Sequence, residues 1–373
     1  MDIHEPLPLL GGLTPERFMR RHWQKKPLLV RGAIPGFAPL LDRAGLFALA
    51  GREEVESRLV QHGAKGWTLR HGPFARRALP PLSRRAWSLL VQGVDLHHDA
   101  VHALLQSFRF VPDARLDDVM ISYASDGGGV GPHFDSYDVF LLQAHGRRRW
   151  RIGRQRDLRL QEDVPLRILA DFAPEQEYVL EPGDMLYLPP RYAHDGVALG
   201  ECMTYSIGFR APADGGIARE LLQRLADTAE DGLGAALYRD PGQLATAEPA
   251  RVPGAMAAFA GRALRRLLDD PAALDCALGE ILSEPKPQVW FGEGGDLPDG
   301  AGVALDRRSR MLYDAGRIYL NGESWCAAGR DARLMQRLAD ARRLSAREVA
   351  AASAAARALL AQWCEDGWLQ AQP

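Results

Sequence analysis

No run of about 18 uninterrupted apolar residues occurs anywhere in this 373-residue chain, so no segment is expected to cross a bilayer as a helix. The opening MDIHEPLPLLGGLTPERF lacks the basic flank and long apolar stretch of a secretory signal. Cysteine is scarce: Cys202, Cys276, Cys326 and Cys364 lie far apart, with no C-x-x-C pair and no dense disulfide framework. They read as reduced thiols, and the expectation is a cytoplasmic protein without membrane insertion. An excess of one charge sign is missing too. A formal charge of −2 gives no electrostatic reason to expect general nucleic-acid binding. Internal repeats and low-complexity tracts are also absent. What remains, 46% hydrophobic and 25% charged residues, describes an ordinary globular protein long enough for two or three domains.

Thr14 followed by Pro15 marks a helix start, with an N-cap oxygen and then a residue whose fixed φ suits the first helical position; the helix is expected to run to about Trp23. KKPLLVRGA reads as a short strand after Pro27. Between about residues 110 and 210, short apolar runs such as DDVMISYAS, YDVFLLQAHGRRRWRIG and CMTYSIGFRAP are cut by glycine and proline, the texture of an antiparallel barrel or sandwich. From 213 to 284 apolar residues recur at helical spacing. A turn-rich connection follows, then a hairpin turned at Ala315-Gly316, a helix from about Ala332, and an alanine-rich helix opened by a Ser345/Glu348 capping box and closed by Asp366-Gly367. Such a set of elements is consistent with a winged-helix-like domain. The division is therefore 1–212, 213–284 and 285–373.

The stretch GGGVGPHFD places His133 and Asp135 after a glycine-rich turn. At the start of a strand the two would face the same side and could share one ion. A third ligand must come from elsewhere. The candidates are His62, His71, His97, His98, His102, His145 and His194; the last is favoured because EPGDMLYLPPRYAHDG is a turn, an apolar strand and a proline-stiffened step that delivers it. Two imidazoles and one carboxylate with open positions point to non-haem iron(II), and zinc accepts the same ligand types. After the hairpin glycine Gly146, the strand RRRWRI alternates. Trp150 and Ile152 belong in a core, so Arg148 is expected inside the barrel and Arg147, Arg149 and Arg151 in solvent. A buried guanidinium needs an anion, and a carboxylate-bearing cosubstrate would supply one; a structural Asp or Glu is the alternative partner.

GPHFDSYDVFLLQAHGRRRWRIG with EPGDMLYLPPRYAHDG and YSIGFRAP resembles the JmjC-type 2-oxoglutarate and iron(II) oxygenases, specifically the bacterial ribosomal oxygenases. RRHWQKKPLLVRGA, ESRLVQH, HGPF and WSLLVQGV extend the likeness, so that it covers roughly residues 15 to 212 strongly and the rest by domain order. The resemblance implies a mainly β catalytic core with helices, built as a double-stranded β-helix of the cupin type, followed by a helical dimerisation segment and a winged-helix domain. It implies iron ligands at His133, Asp135 and His194, a 2-oxoglutarate anchor at Arg148, and a late-strand hydroxyl helping to hold that carboxylate at Ser206. Molecular oxygen would be the oxidant, and the implied reaction is hydroxylation of an arginine side chain on the sixteenth large-subunit ribosomal protein.

Asp126, Tyr137, Asp138 and Tyr205, read as lying around the mouth of the site, could pair with and stack on a guanidinium. Each also has a structural reading as a turn cap, strand-entry residue or rim packing. Other functions stay open on the residues alone: N-methyl demethylation by the same oxidant, a cupin enzyme using no 2-oxoacid, and a non-enzymatic module in which barrel and winged helix only dock. The winged helix carries Arg307, Arg308, Arg310 and Arg317 with acidic residues between them, and is expected to serve protein interaction or packing rather than DNA binding. Leu221, Leu222, Leu225, Leu264, Leu267, Leu268, Leu278 and Leu282 give residues 215–282 an apolar surface suited to a homodimer or to covering the barrel of the same chain.

Overall fold

The computed structural model describes residues 2–372. The chain forms two compact units, Met1–Ala211 and Pro212–Pro373. In the first, α1 (Pro15–Arg21) starts where Thr14 Oγ1 accepts the Arg17 N–H at 3.1 Å. It is followed by β1 (Leu28–Val30), α2 (Arg43–Leu49), β2 (Ser57–Gly63), β3 (Gly66–His71), β4 (Trp87–Val91) and α3 (Asp99–Gln106). Then come β5 (Leu116–Ala124), β6 (Val139–Gly153), β7 (Gln176–Leu180), β8 (Met185–Leu188) and β9 (Ala193–Phe209). All nine strands pair antiparallel in the order β1-β8-β6-β9-β5-β4-β2-β3, with β7 joining β6.

The frame of this double-stranded β-helix is the long β6/β9 ribbon, paired from Val139↔Gly208 to Gly153↔Ala193. The first half of β6 carries β8 and its second half carries β7, so one strand serves two layers. Both faces of the first half are covered. Phe140 and Leu142 enter a large core with Phe18, Tyr187, Tyr205 and Phe209, whereas Val139 and Leu141 join Trp150, Ile152 and Leu180. That is why VFLLQA reads as an unbroken apolar run rather than an alternation.

Gly146 is not the hairpin turn expected of it. Strand β6 runs straight through, with register shifts on either side of His145, and a Cβ on Gly146 (φ +59°) would lie 2.0 Å from the Glu201 carbonyl oxygen. The glycine permits a bulge that bends the ribbon. The arginines beyond it are also less exposed than expected, since only Arg147 is open to solvent while Arg149 and Arg151 are half-buried. Arg151 donates to Asp195 Oδ2 at 2.6 Å.

The second unit begins with α4 (Asp214–Asp227), α5 (Ala229–Leu233), α6 (Gly254–Leu268) and α7 (Pro271–Ser283). The helical pattern is broken between 234 and 253, where Pro241, Pro249 and Pro253 accumulate. Beyond it are β10 (Gly302–Leu305), β11 (Met311–Tyr313), β12 (Arg317–Leu320), β13 (Glu323–Cys326), α8 (Gly329–Ala341), β14 (Arg343–Leu344), α9 (Ala346–Ala350), α10 (Ala354–Glu365) and β15 (Leu369–Gln372). The hairpin at Ala315-Gly316 forms between β11 and β12, and β13 adds a third strand. Ser345 and Glu348 make their capping box, yet the alanine-rich helix they open ends at Ala350. A second cap, Ser353 accepting the Ala356 N–H at 3.1 Å, starts α10. Local serine capture of the backbone thus splits a helix that composition alone would continue.

Candidate metal centre

His133 and Asp135 lie in the loop between β5 and β6, not at a strand start, because β6 begins only at Val139. What fixes them is an isolated bridge: the His133 N–H donates to the His194 carbonyl at 2.9 Å and the His194 N–H returns to the His133 carbonyl at 2.8 Å. The step that delivers His194 is anchored as well, the Arg191 N–H donating to the Asp135 carbonyl at 2.7 Å. Backbone bonds therefore bring together three side chains whose ligand atoms lie within 4.8 Å of one another.

Each imidazole is oriented by a carbonyl. His133 Nδ1 is 2.9 Å from the Gly131 oxygen and His194 Nδ1 is 2.9 Å from the Tyr192 oxygen. A carbonyl only accepts, so both rings carry their proton on Nδ1 and turn the Nε2 lone pair inward. His194 Nε2 approaches Asp135 Oδ2 at 3.6 Å. Burial, with the neighbouring His133 charge, brings the pKa of His194 down to about 4, against the opposing pull of Asp135. The ring is consequently neutral near pH 7, the form that ligates metals. Trp150 stands with its ring centroid 5.9 Å from that of His194 and fits there because residue 196 is glycine: a Cβ would lie 2.6 Å from the indole. Two imidazoles and a carboxylate, aimed together and supported from behind, fit a divalent transition-metal ion.

Arg148 is 6% exposed. Its Nη1 donates to Ser122 Oγ at 3.3 Å, while Nε and Nη2 meet no acceptor among the described residues. No described carboxylate pairs with it, which removes the structural ion pair as its reason for burial. Ser122, Thr204 and Gln143 lie in cross-strand register, and Thr204 Oγ1 donates to Gln143 Oε1 at 3.0 Å, so the barrel is polar where the guanidinium sits. Ser206 lies two residues beyond Thr204 on β9, on the same face, in register with Met120 and Leu141.

The four residues expected at the rim part company. Tyr137 stays there, 39% exposed, with its hydroxyl pKa raised by burial and then by Asp135 and Asp118. Asp138 is fully buried and structural: it accepts from the Tyr187 hydroxyl at 2.6 Å and Gln24 Nε2 at 3.0 Å, with Arg115 at 3.5 Å. Tyr205 faces the core, where its hydroxyl accepts the Leu41 N–H at 3.1 Å and its ring meets Phe37. Asp126 accepts the Gly200 N–H at 2.9 Å and pairs with Arg85 at 2.8 Å, six residues along β9 from His194. It ties a turn.

Sequence reasoning missed the polar face of β5. Val119, Ile121 and Tyr123 enter the core, so Asp118, Met120 and Ser122 face the other way. Gln92 Nε2 bonds Asp118 at 2.9 and 3.1 Å, and Arg58 Nη2 bonds Gln92 Oε1 at 3.3 Å. The alternation in DDVMISY carried this signal.

Comparison with known proteins places the chain in a family. Residues 103–215 match the JmjC domain model and residues 266–370 the ROXA-like winged helix model. The chain is 39% identical to the ribosomal protein uL16 3-hydroxylase of Escherichia coli, over 82% of this chain and 84% of that one. An X-ray structure of E. coli YcfD matches with a TM-score of 0.83 at 33% identity, covering 96% of this chain and 98% of the other. The structure of YcfD, a ribosomal oxygenase from E. coli, in complex with cobalt and 2-oxoglutarate matches with a TM-score of 0.79 at 33% identity, covering 97% and 99%.

Proposed function

As the chain belongs to the JmjC-domain ribosomal oxygenases, we propose that it is an iron(II)- and 2-oxoglutarate-dependent hydroxylase of an arginine side chain in the large-subunit ribosomal protein uL16. The observation that carries the reading is Arg148, a buried guanidinium with two unmet donors and no acidic partner among the described residues. Such a group is costly unless an anion reaches it. In this reading His133 Nε2, the Asp135 carboxylate and His194 Nε2 hold the iron. Bound iron(II) with 2-oxoglutarate and O2 supplies the oxidation, in which 2-oxoglutarate becomes succinate and carbon dioxide and one oxygen atom enters the substrate.

The chain's own groups do the rest. Arg148 binds the distal carboxylate of 2-oxoglutarate with Ser122 beside it, and Ser206 adds a hydroxyl from the neighbouring strand position. Gln143 and Thr204 satisfy each other across the ribbon and keep that wall of the barrel polar without adding charge. Trp150 closes the space behind His194 and excludes water from it. At the rim Tyr137 offers a ring face to the substrate guanidinium. Asp118 adds negative potential near that hydroxyl.

In the same reading residues 1–212 are the catalytic domain, 213–284 a dimerisation segment and 285–373 a winged helix used for protein contact. Leu222 on α4 and Leu264 on α6, 46% and 52% exposed, support a second copy as their cover. The test is aerobic incubation with iron(II), ascorbate, 2-oxoglutarate and uL16, followed by fragmentation mass spectrometry. One added oxygen on an arginine, matched by succinate, is expected. Loss of a methyl group would indicate demethylation instead, and an unmodified uL16 would overturn the reading.

A further inference from the structure

In the second unit, the segment between α7 and β10, strand β13 and the C-terminal end of α10 enclose an open cavity of about 500 Å³. Its walls are aromatic. Trp325 meets Trp363 with ring centroids 5.0 Å apart and planes at 70°, and meets Trp368 at 6.4 Å and 70°. Phe291 stands 6.3 Å from Trp368 at 63°. Trp290, also in the lining, is 76% exposed. The volume lies within the range of about 300 to 1,000 Å³ usual for ligand sites.

The charges in this lining all have one sign. Glu323 and Asp366 are its only ionisable groups, and among the described residues neither carboxylate has a hydrogen bond or an ion pair. The nearby cation is already committed. Arg308 lies 5.2 Å over the Phe291 ring, bonds Asp306 through Nε at 2.7 Å and Nη2 at 3.1 Å, and holds the Trp290 carbonyl through Nη1 at 2.8 Å. It supports the wall, and among the described residues no cation pairs with Glu323 or Asp366.

Trp363 is buried, so the rings open to the cavity are those of Trp290, Trp325 and Trp368, and with two unpaired carboxylates beside them they can accept a cation. We propose that this cavity binds an arginine side chain of a polypeptide partner, with the guanidinium stacked on the indoles and bonded to Glu323 and Asp366. Arginine is favoured over lysine because its planar fork can stack on a ring and donate in plane at the same time. A purely apolar anchor would desolvate two carboxylates without pairing them, and a nucleic-acid backbone would be repelled by them. The site is a means of partner capture by the winged-helix region and does not depend on the chemistry assigned to His133, Asp135 and His194.

Isothermal titration of the full-length protein with a capped Gly-Gly-Arg-Gly-Gly peptide tests this, with the citrulline peptide of the same shape as the uncharged control. Saturable binding of the arginine peptide is expected, at least about tenfold weaker for citrulline and for the Glu323→Gln/Asp366→Asn double variant. Trp290→Ala, at an exposed position, should weaken binding while leaving the melting temperature unchanged. Equal binding of the two peptides, no saturable binding at millimolar concentration, or full affinity in the double variant would each overturn the proposal.

Discussion

The main chains of His133 and His194 exchange two hydrogen bonds, at 2.9 and 2.8 Å, so the two imidazoles face each other because their backbones are paired. Side-chain replacement leaves that pairing in place. His194→Ala is therefore expected to keep its circular dichroism and cooperative unfolding while losing stoichiometric iron(II) binding and turnover, because two remaining ligands hold an ion poorly. Full activity in this variant would remove His194 from the metal site.

The pKa of about 4 for His194 also makes the metal-free protein sensitive to acid. Above pH 6.5 the imidazole is neutral in both the folded and unfolded chain and contributes no pH dependence. As pH falls from 6.5 towards 4 the unfolded chain takes up the proton first, so stability drops, by about 3 kcal/mol once pH is below the folded value. Denaturant unfolding of the metal-free protein at several pH values should show this loss, and the loss should be smaller in His194→Gln. Identical slopes in the two proteins would contradict the assignment.

Asp138 is expected to matter for folding rather than for catalysis. Its carboxylate is the shared acceptor for Tyr187, Gln24 and Arg115, and Asp138→Ala leaves all three without it, at a cost of about 3 kcal/mol. Thermal unfolding should register the loss, while 2-oxoglutarate affinity stays near that of the unsubstituted protein. A stable variant with weakened cosubstrate binding would return Asp138 to the site.

Light scattering at micromolar concentration tests the proposed dimer. A mass of twice 41.1 kDa is expected, and Leu264→Glu should reduce it towards the monomer by placing a charge on an exposed apolar helix face. A monomeric unsubstituted protein would leave α4 and α6 without the partner proposed for them.

The barrel, the three candidate ligands and the inward Arg148 were legible because each followed from a short local pattern. Glycines precede His133, a turn and apolar strand precede His194, and alternation in RRRWRI turns Arg148 to the same face as Trp150. The rim was harder to read. Tyr205 and Ser206 are adjacent on β9, so by the two-residue period only one of them can face the cavity. The buried acceptor role of Asp138 depends on Gln24 and Tyr187, far away in sequence. Gly146 looked like a turn because a bulge and a hairpin both call for a residue at positive φ. The second helix cap at Ser353 was hidden by the alanines around it.

The measurement that bears most directly on the central claim is anaerobic titration of 2-oxoglutarate into the manganese-loaded protein and its Arg148→Ala variant. Metal binding should be nearly unchanged, while the cosubstrate binds more weakly by roughly thirtyfold to several thousandfold, the loss of about 2 to 5 kcal/mol expected for a buried charge-assisted contact. An unchanged 2-oxoglutarate affinity in Arg148→Ala would contradict the account, because the buried guanidinium would then have no anion to bind.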